Sequence, residues 1–110
     1  MAYDEHLANQ LRELLAGEDA VTEKKMFGGL AFLLHGRMSV SASRNGGLLV
    51  RVDPLETDAA LELPHVSLMD LGGRVMEGWI VVDPVGLTAP GALAAWVRRS
   101  VSYVRTLPPK

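Results

Sequence analysis

The sequence predicts an α+β domain: one two-layer unit in which an antiparallel sheet of about five strands carries helices. Three observations lead there. Apolar residues recur at helical spacing near both ends of the chain. Between them, apolar and β-branched runs are separated by Gly- and Asn-containing turns, and one Asp-Pro step breaks the strands where a short helix can begin. With 110 residues and 48% hydrophobic content there is enough material for one core, so the domain is expected to span residues 1–110.

Tyr3, Leu7, Leu11, Leu14 and Leu15 share one helical face, with Asp4 and Glu5 at the end where the helix dipole favours negative charge. Helix one therefore covers about residues 3–16 and stops near Gly17. Met26 to Leu34 is apolar with little alternation, as in a buried strand that bulges or makes a close backbone contact at Gly28-Gly29. His35-Gly36 supplies a two-residue hairpin turn. Met38, Val40 and Ala42 then alternate with Ser39, Ser41 and Ser43, which predicts a half-buried strand with its serines toward solvent. Asn45-Gly46 turns the chain into Leu48–Val52.

Asp53-Pro54-Leu55-Glu56 reads as the start of a short helix, with Asp53 as cap, Pro54 in the first turn and Glu56 reaching back as in a capping box. Val66–Leu71 and Val75–Val82 are two further strands joined through Gly72-Gly73-Arg74. Leu93, Trp96, Val97, Val101, Tyr103, Val104 and Leu107 form the apolar arc of a last helix whose other arc holds Arg98, Arg99 and Arg105, and Pro108-Pro109 ends it. The predicted order is α-β-β-β-α-β-β-α.

Composition excludes several classes of function. Cys is absent, which removes disulfides, thiolate zinc sites and thiol redox chemistry. The acidic start Met1-Ala2-Tyr3-Asp4-Glu5-His6 lacks the basic-then-apolar layout of a signal peptide, and the apolar run Leu30–Leu34 falls far short of the ~20 residues of a membrane span. A cytoplasmic protein is expected. Net charge is −2, unevenly spread. Asp53, Glu56, Asp58, Glu62, Asp70, Glu77 and Asp83 face Arg74 alone in the middle of the chain, whereas Arg98, Arg99, Arg105 and Lys110 follow with no acid among them. That basic segment can be a solvated helix face or a contact for phosphate or an acidic partner.

No local pattern carries a reaction. His6, His35 and His65 lack metal-motif spacing, and Ser39, Ser41 and Ser43 have no adjacent base or Gly-x-Ser-x-Gly turn. Neither Gly28-Gly29 nor Gly72-Gly73 is a phosphate loop, so Arg74 is the better anion candidate there. Trp79 and Trp96 fit core packing better than a stacking platform. No catalytic residue, cofactor or metal is expected.

Lys25-Met26-Phe27-Gly28-Gly29-Leu30-Ala31-Phe32, then Gly36-Arg37-Met38, Leu49-Val50-Arg51-Val52 and Met76-Glu77-Gly78-Trp79-Ile80-Val81, resemble the TfoX/Sxy amino-terminal-domain family in order and spacing. The resemblance implies a compact α+β domain similar to the secretion-chaperone-like architecture. It also implies a stand-alone form, because longer relatives add a carboxy-terminal helical domain and this sequence stops at Pro108-Pro109-Lys110. The family-like positions Met26, Phe27, Gly28, Gly29, Gly36, Arg51, Gly78 and Trp79 look structural. The expected function is a non-enzymatic, protein-interacting module in transcriptional regulation, with a homodimer among the partners considered. The alternatives are a nucleic-acid accessory using Arg74, Arg98, Arg99 and Arg105, and a small enzyme or ligand-binding protein with a pocket near Arg74, Arg51 or a histidine.

Overall fold

The computed structural model describes residues 3–26, 28–43, 46–71 and 74–108, the side chains of 70, 71 and 74–76 excepted. Phe27, Asn45, Gly72-Gly73, Pro109 and Lys110, together with the Arg74 side chain, lie outside that description.

Helix α1 (Glu5–Leu14) starts at Asp4, whose carboxylate accepts the Leu7 N–H at 3.1 Å. It is shorter than predicted at both ends, although Leu15 continues the apolar face into the core. The strands are β1 (Val21–Met26), β2 (Gly29–Leu34), β3 (Arg37–Ala42), β4 (Leu48–Arg51), β5 (Val66–Leu71) and β6 (Arg74–Val82). They form one sheet in the order β1-β2-β3-β4-β6-β5, every neighbouring pair antiparallel.

The described sheet thus has six strands where about five were expected. The extra one is β1, Val-Thr-Glu-Lys-Lys-Met, an edge strand exposed along most of its length. An edge strand that buries neither face needs no apolar alternation, and charge there discourages pairing with another chain. Met26 closes β1, so the single strand predicted over Met26–Leu34 is in fact a hairpin corner followed by β2. Gly28 takes φ +75°, and a Cβ on Gly29 would overlap the carbonyl oxygen of Ala42, so the close backbone contact expected at this pair sits at Gly29. The β2–β3 turn is the predicted His35-Gly36, both residues at positive φ, which matches strand twist in a two-residue hairpin.

A bulge interrupts β2–β3: Phe32 opposes Val40 but Leu33 opposes Met38, leaving Ser39 as the extra residue. This overturns the solvent-facing expectation for the strand serines. Ser39 is 0% and Ser41 4% exposed, with Ser43 half-buried. The bulge turns Ser39 toward the last helix, where the Ser100 hydroxyl donates to the Ser39 carbonyl at 2.9 Å. Ser100 has one proton to give, so the Ser39 hydroxyl is the donor in the 2.8 Å contact between the two side chains.

Asp53 caps as predicted, accepting the Leu55 N–H at 2.9 Å, but it opens a 3-10 turn (Pro54–Glu56) that leads into α2 (Thr57–Leu61). Glu56 does not close a capping box; its carboxylate lies 3.9 Å from Arg99. A second 3-10 turn (Pro84–Leu87) precedes α3 (Ala92–Val104). Leu7, Leu11 and Leu15 of the first helical segment, Ala60 of α2, and Leu93 and Val97 of α3 close over Leu30, Phe32, Val40, Leu48, Val50, Ile80 and Val82 of the sheet. All the helices therefore contribute to the core on one face. Burying a side chain such as Phe32, fully enclosed here, is worth about 1.5–3 kcal/mol.

Candidate functional site

The opposite face carries its own apolar cluster, made entirely of strand residues. Ala31, Met38, Leu49 and Met69 are buried, and Met26, Leu33, Trp79 and Val81 are half-buried against them. Six strands contribute, the two edges included. A hollow of about 170 Å³ lined by Met26, Gly29, Ser41, Ser43, Leu49, Met69 and Val81 draws on every strand, so the sheet is concave on this side. Curvature brings the edge methionines over the middle strands, which explains burial without a covering helix. Methionine suits such a surface because its unbranched thioether repacks against varied shapes.

At one end of the sheet two arginines meet the rim of this face from different sides, Arg51 on the face itself and Arg37 on the helix side. Arg51 ends β4 and pairs in register with Trp79 of β6. Its guanidinium lies 5.0 Å from the Trp79 ring centre and 5.9 Å from that of Tyr103, within cation–π range of both. Gly78 makes the pairing reachable. At φ +85° it bends β6, while its N–H donates to Thr57 Oγ1 and its carbonyl accepts the Val52 N–H, both at 2.8 Å. A Cβ there would also come within a tight 3.1 Å of the Val52 carbonyl oxygen, so glycine is favoured first by its φ and then by space.

Arg37 opens β3 at the same end and donates through Nε to the Pro108 carbonyl at 3.0 Å. Burial, and secondarily the charge of Arg37, hold the Arg51 guanidinium below its ordinary pKa, against an opposing pull from Tyr103. The ion pairs among the described residues are Arg12–Glu23, Arg99–Glu56 and Arg105–Glu18; Arg51 and Arg37 join none.

The structure separates the cations grouped in the sequence. Arg105 grips Glu18 at 2.7 Å and also reaches the Asp19 carbonyl, tying the end of α3 to the loop after α1. Arg99 lies 5.4 Å from the Trp96 ring and close to Glu56. Arg98 is exposed on α3. Lys25 pairs with Leu30, at the end of the sheet opposite Arg51. Both tryptophans pack as expected, Trp96 against the helix-covered core and Trp79 against the bare face. His35 and His65 sit at positive φ, and His6 is exposed on α1. No group of three His, Asp or Glu side chains that could hold a metal occurs among the described residues.

Sequence reasoning placed Arg51 and Trp79 in a motif but did not join them to Arg37 and Tyr103. The period-two alternation of Leu49-Arg51 and Trp79-Val81 held part of that signal, since it puts a cation and an indole on one sheet face. Tyr103 lies across a helix, and no spacing rule reaches it. The fold also bears on membership. No curated protein and no solved structure matches the chain. The model of the TfoX N-terminal domain, in contrast, matches residues 13–103, from within α1 nearly to the end of α3. The chain, with its helix-backed antiparallel sheet and its glycine-set Arg51–Trp79 pair, belongs to the TfoX N-terminal domain family.

Proposed function

We propose that this protein is a non-enzymatic interaction domain of its family, acting in the cytoplasm in transcriptional regulation through a protein partner. The observation that carries the reading is the bare concave face, where Leu33, Trp79, Val81 and Met26 remain partly open to solvent while the other face is closed by helices. A contiguous apolar surface of this kind is characteristic of binding rather than of an isolated fold. The family match supports a domain of this type, and no helix among the described residues is long and apolar enough to cross a membrane.

The alternative, a nucleic-acid accessory working through α3, draws on exposed Arg98. It is weakened because Arg99 and Arg105 already face carboxylates of their own chain. Affinity capture with nuclease treatment tests both. The interaction reading expects a protein partner that survives nuclease and is lost with Leu33→Asp, which puts a charge on the bare face. A partner lost with nuclease and with Arg98→Ala, but kept by Leu33→Asp, would replace it.

A further inference from the structure

A half-buried arginine ordinarily brings a carboxylate with it, because an uncompensated charge is costly to desolvate. Arg51 departs from that rule in an acidic protein. Asp53 and Glu56 are near in sequence, yet Arg51 meets two aromatic rings instead. The rings approach the guanidinium carbon, and its N–H donors have no partner among the described hydrogen bonds and ion pairs, so the fork remains available to a carboxylate. Arg37, at the same end of the sheet, is turned toward the end of α3 and donates to the Pro108 carbonyl.

The hollow is the neighbouring feature. Leu49 and Val81 line it, and Arg51 and Trp79 are the next same-face positions on the same two strands, about 7 Å away at strand spacing. Arg51 and the apolar hollow thus lie one side-chain step apart, while Arg37, next to Met38 on β3, turns to the helix side of the same sheet end beside Leu34, Val104 and Leu107. A peptide can span that distance with an acidic residue and an apolar residue close together in sequence.

The geometry points to Arg51 as a recognition site for a carboxylate on an acidic peptide segment of the partner, with an adjacent apolar side chain entering the methionine-lined hollow. This rests on the interaction-domain reading and specifies the partner's chemistry. A polyanionic backbone fits less well. It calls for a row of cations, whereas this chain carries net charge −2 and Arg51 adjoins an apolar surface.

The test is selection of displayed random peptides on the immobilised protein, followed by anisotropy measurements with the selected peptides and with oligothymidylate. The expected winners carry Asp or Glu within a few residues of Leu, Met or Phe. Arg51→Gln should weaken them by about tenfold or more, the scale of a lost charged hydrogen bond, with Arg51→Lys retaining part of the affinity and the melting temperature of Arg51→Gln no lower than wild type. Arg51→Met, which keeps the aliphatic stem without the charge, provides the same readout should Arg51→Gln fail to fold.

Winners lacking acids, or indifferent to Arg51→Gln and Arg51→Met yet lost with Leu33→Asp, would overturn the arginine site and leave the interaction face standing. No winners, or winners indifferent to Leu33→Asp as well, would overturn both. Oligothymidylate binding that falls with Arg51→Gln would overturn the peptide assignment in favour of nucleic acid. A melting temperature well below wild type in both Arg51→Gln and Arg51→Met, with peptide affinity unchanged, would make Arg51 purely structural.

Discussion

The two faces of the sheet are both apolar, but they are closed by different means. On one, helical side chains from α1, α2 and α3 fill the space over Phe32, Val40, Val50 and Ile80. On the other, strand residues alone pack together as the sheet curves, and Leu33, Trp79 and Val81 keep part of their surface in water. Substitutions on the covered face should therefore register in stability, and those on the bare face in binding. The difference teaches that apolar patterning by itself does not distinguish a core from a contact surface; what covers it does.

The largest expected effect falls on the covered face. Phe32→Ala should cost about 3–5 kcal/mol in denaturant unfolding, because the ring is fully enclosed and its cavity cannot collapse onto a helix. Its strand neighbour Leu33→Ala should cost about 1 kcal/mol or less, since that side chain already meets solvent. Similar losses at the two positions would break the comparison.

Gly29→Ala comes next. Its Cβ would collide with the Ala42 carbonyl, a rigid backbone atom, and a loss of about 1–3 kcal/mol with weakened β2–β3 amide protection in hydrogen exchange is expected. Ser39→Ala should follow at about 1–2 kcal/mol. The Ser39/Ser100 double alanine variant should be worse still, because it orphans the bulge carbonyl that Ser100 serves.

The smallest effect is at the surface. Arg12 bonds Glu23 at 2.7 Å, tying α1 to β1, and this hydrogen bond holds the Glu23 carboxyl below its usual pKa. A depressed folded-state pKa adds stability above the unfolded value, about 4.3 for Glu, and that contribution fades as pH falls through the folded value. Glu23→Gln should slightly lower the melting temperature at neutral pH and flatten its acid limb below about pH 4.3, with no change at the bare face.

The sequence was legible where local chemistry dictates geometry. Asp53 capped, His35-Gly36 turned, and the apolar arc of α3 found the core. It was illegible where tertiary context decides. β1 carries no apolar signal because Thr22, Glu23, Lys24 and Lys25 bury almost nothing, and an edge strand is set by its neighbour's free backbone groups. Ser39 departs from the alternation because one unpaired residue flips strand parity, and only the partner strand reveals it. Of the Arg51 site, the Arg51–Trp79 alternation was readable, but Tyr103 joins it through the packing of α3.

The strand order has a consequence during synthesis. β1 to β4 are laid down in spatial sequence, but the slot beside β4 belongs to β6, and β5 must wait at the rim. Between Arg51 and Trp79 the ribosome adds nearly thirty residues, about 1.5–6 s at ordinary elongation rates. Throughout that interval the Leu48–Arg51 backbone has an open flank on a nearly finished meander. The nascent chain is then most exposed to pairing with a neighbour on the same polysome, and slowing translation between β4 and β6 should raise the insoluble fraction more than an equal pause after Val82.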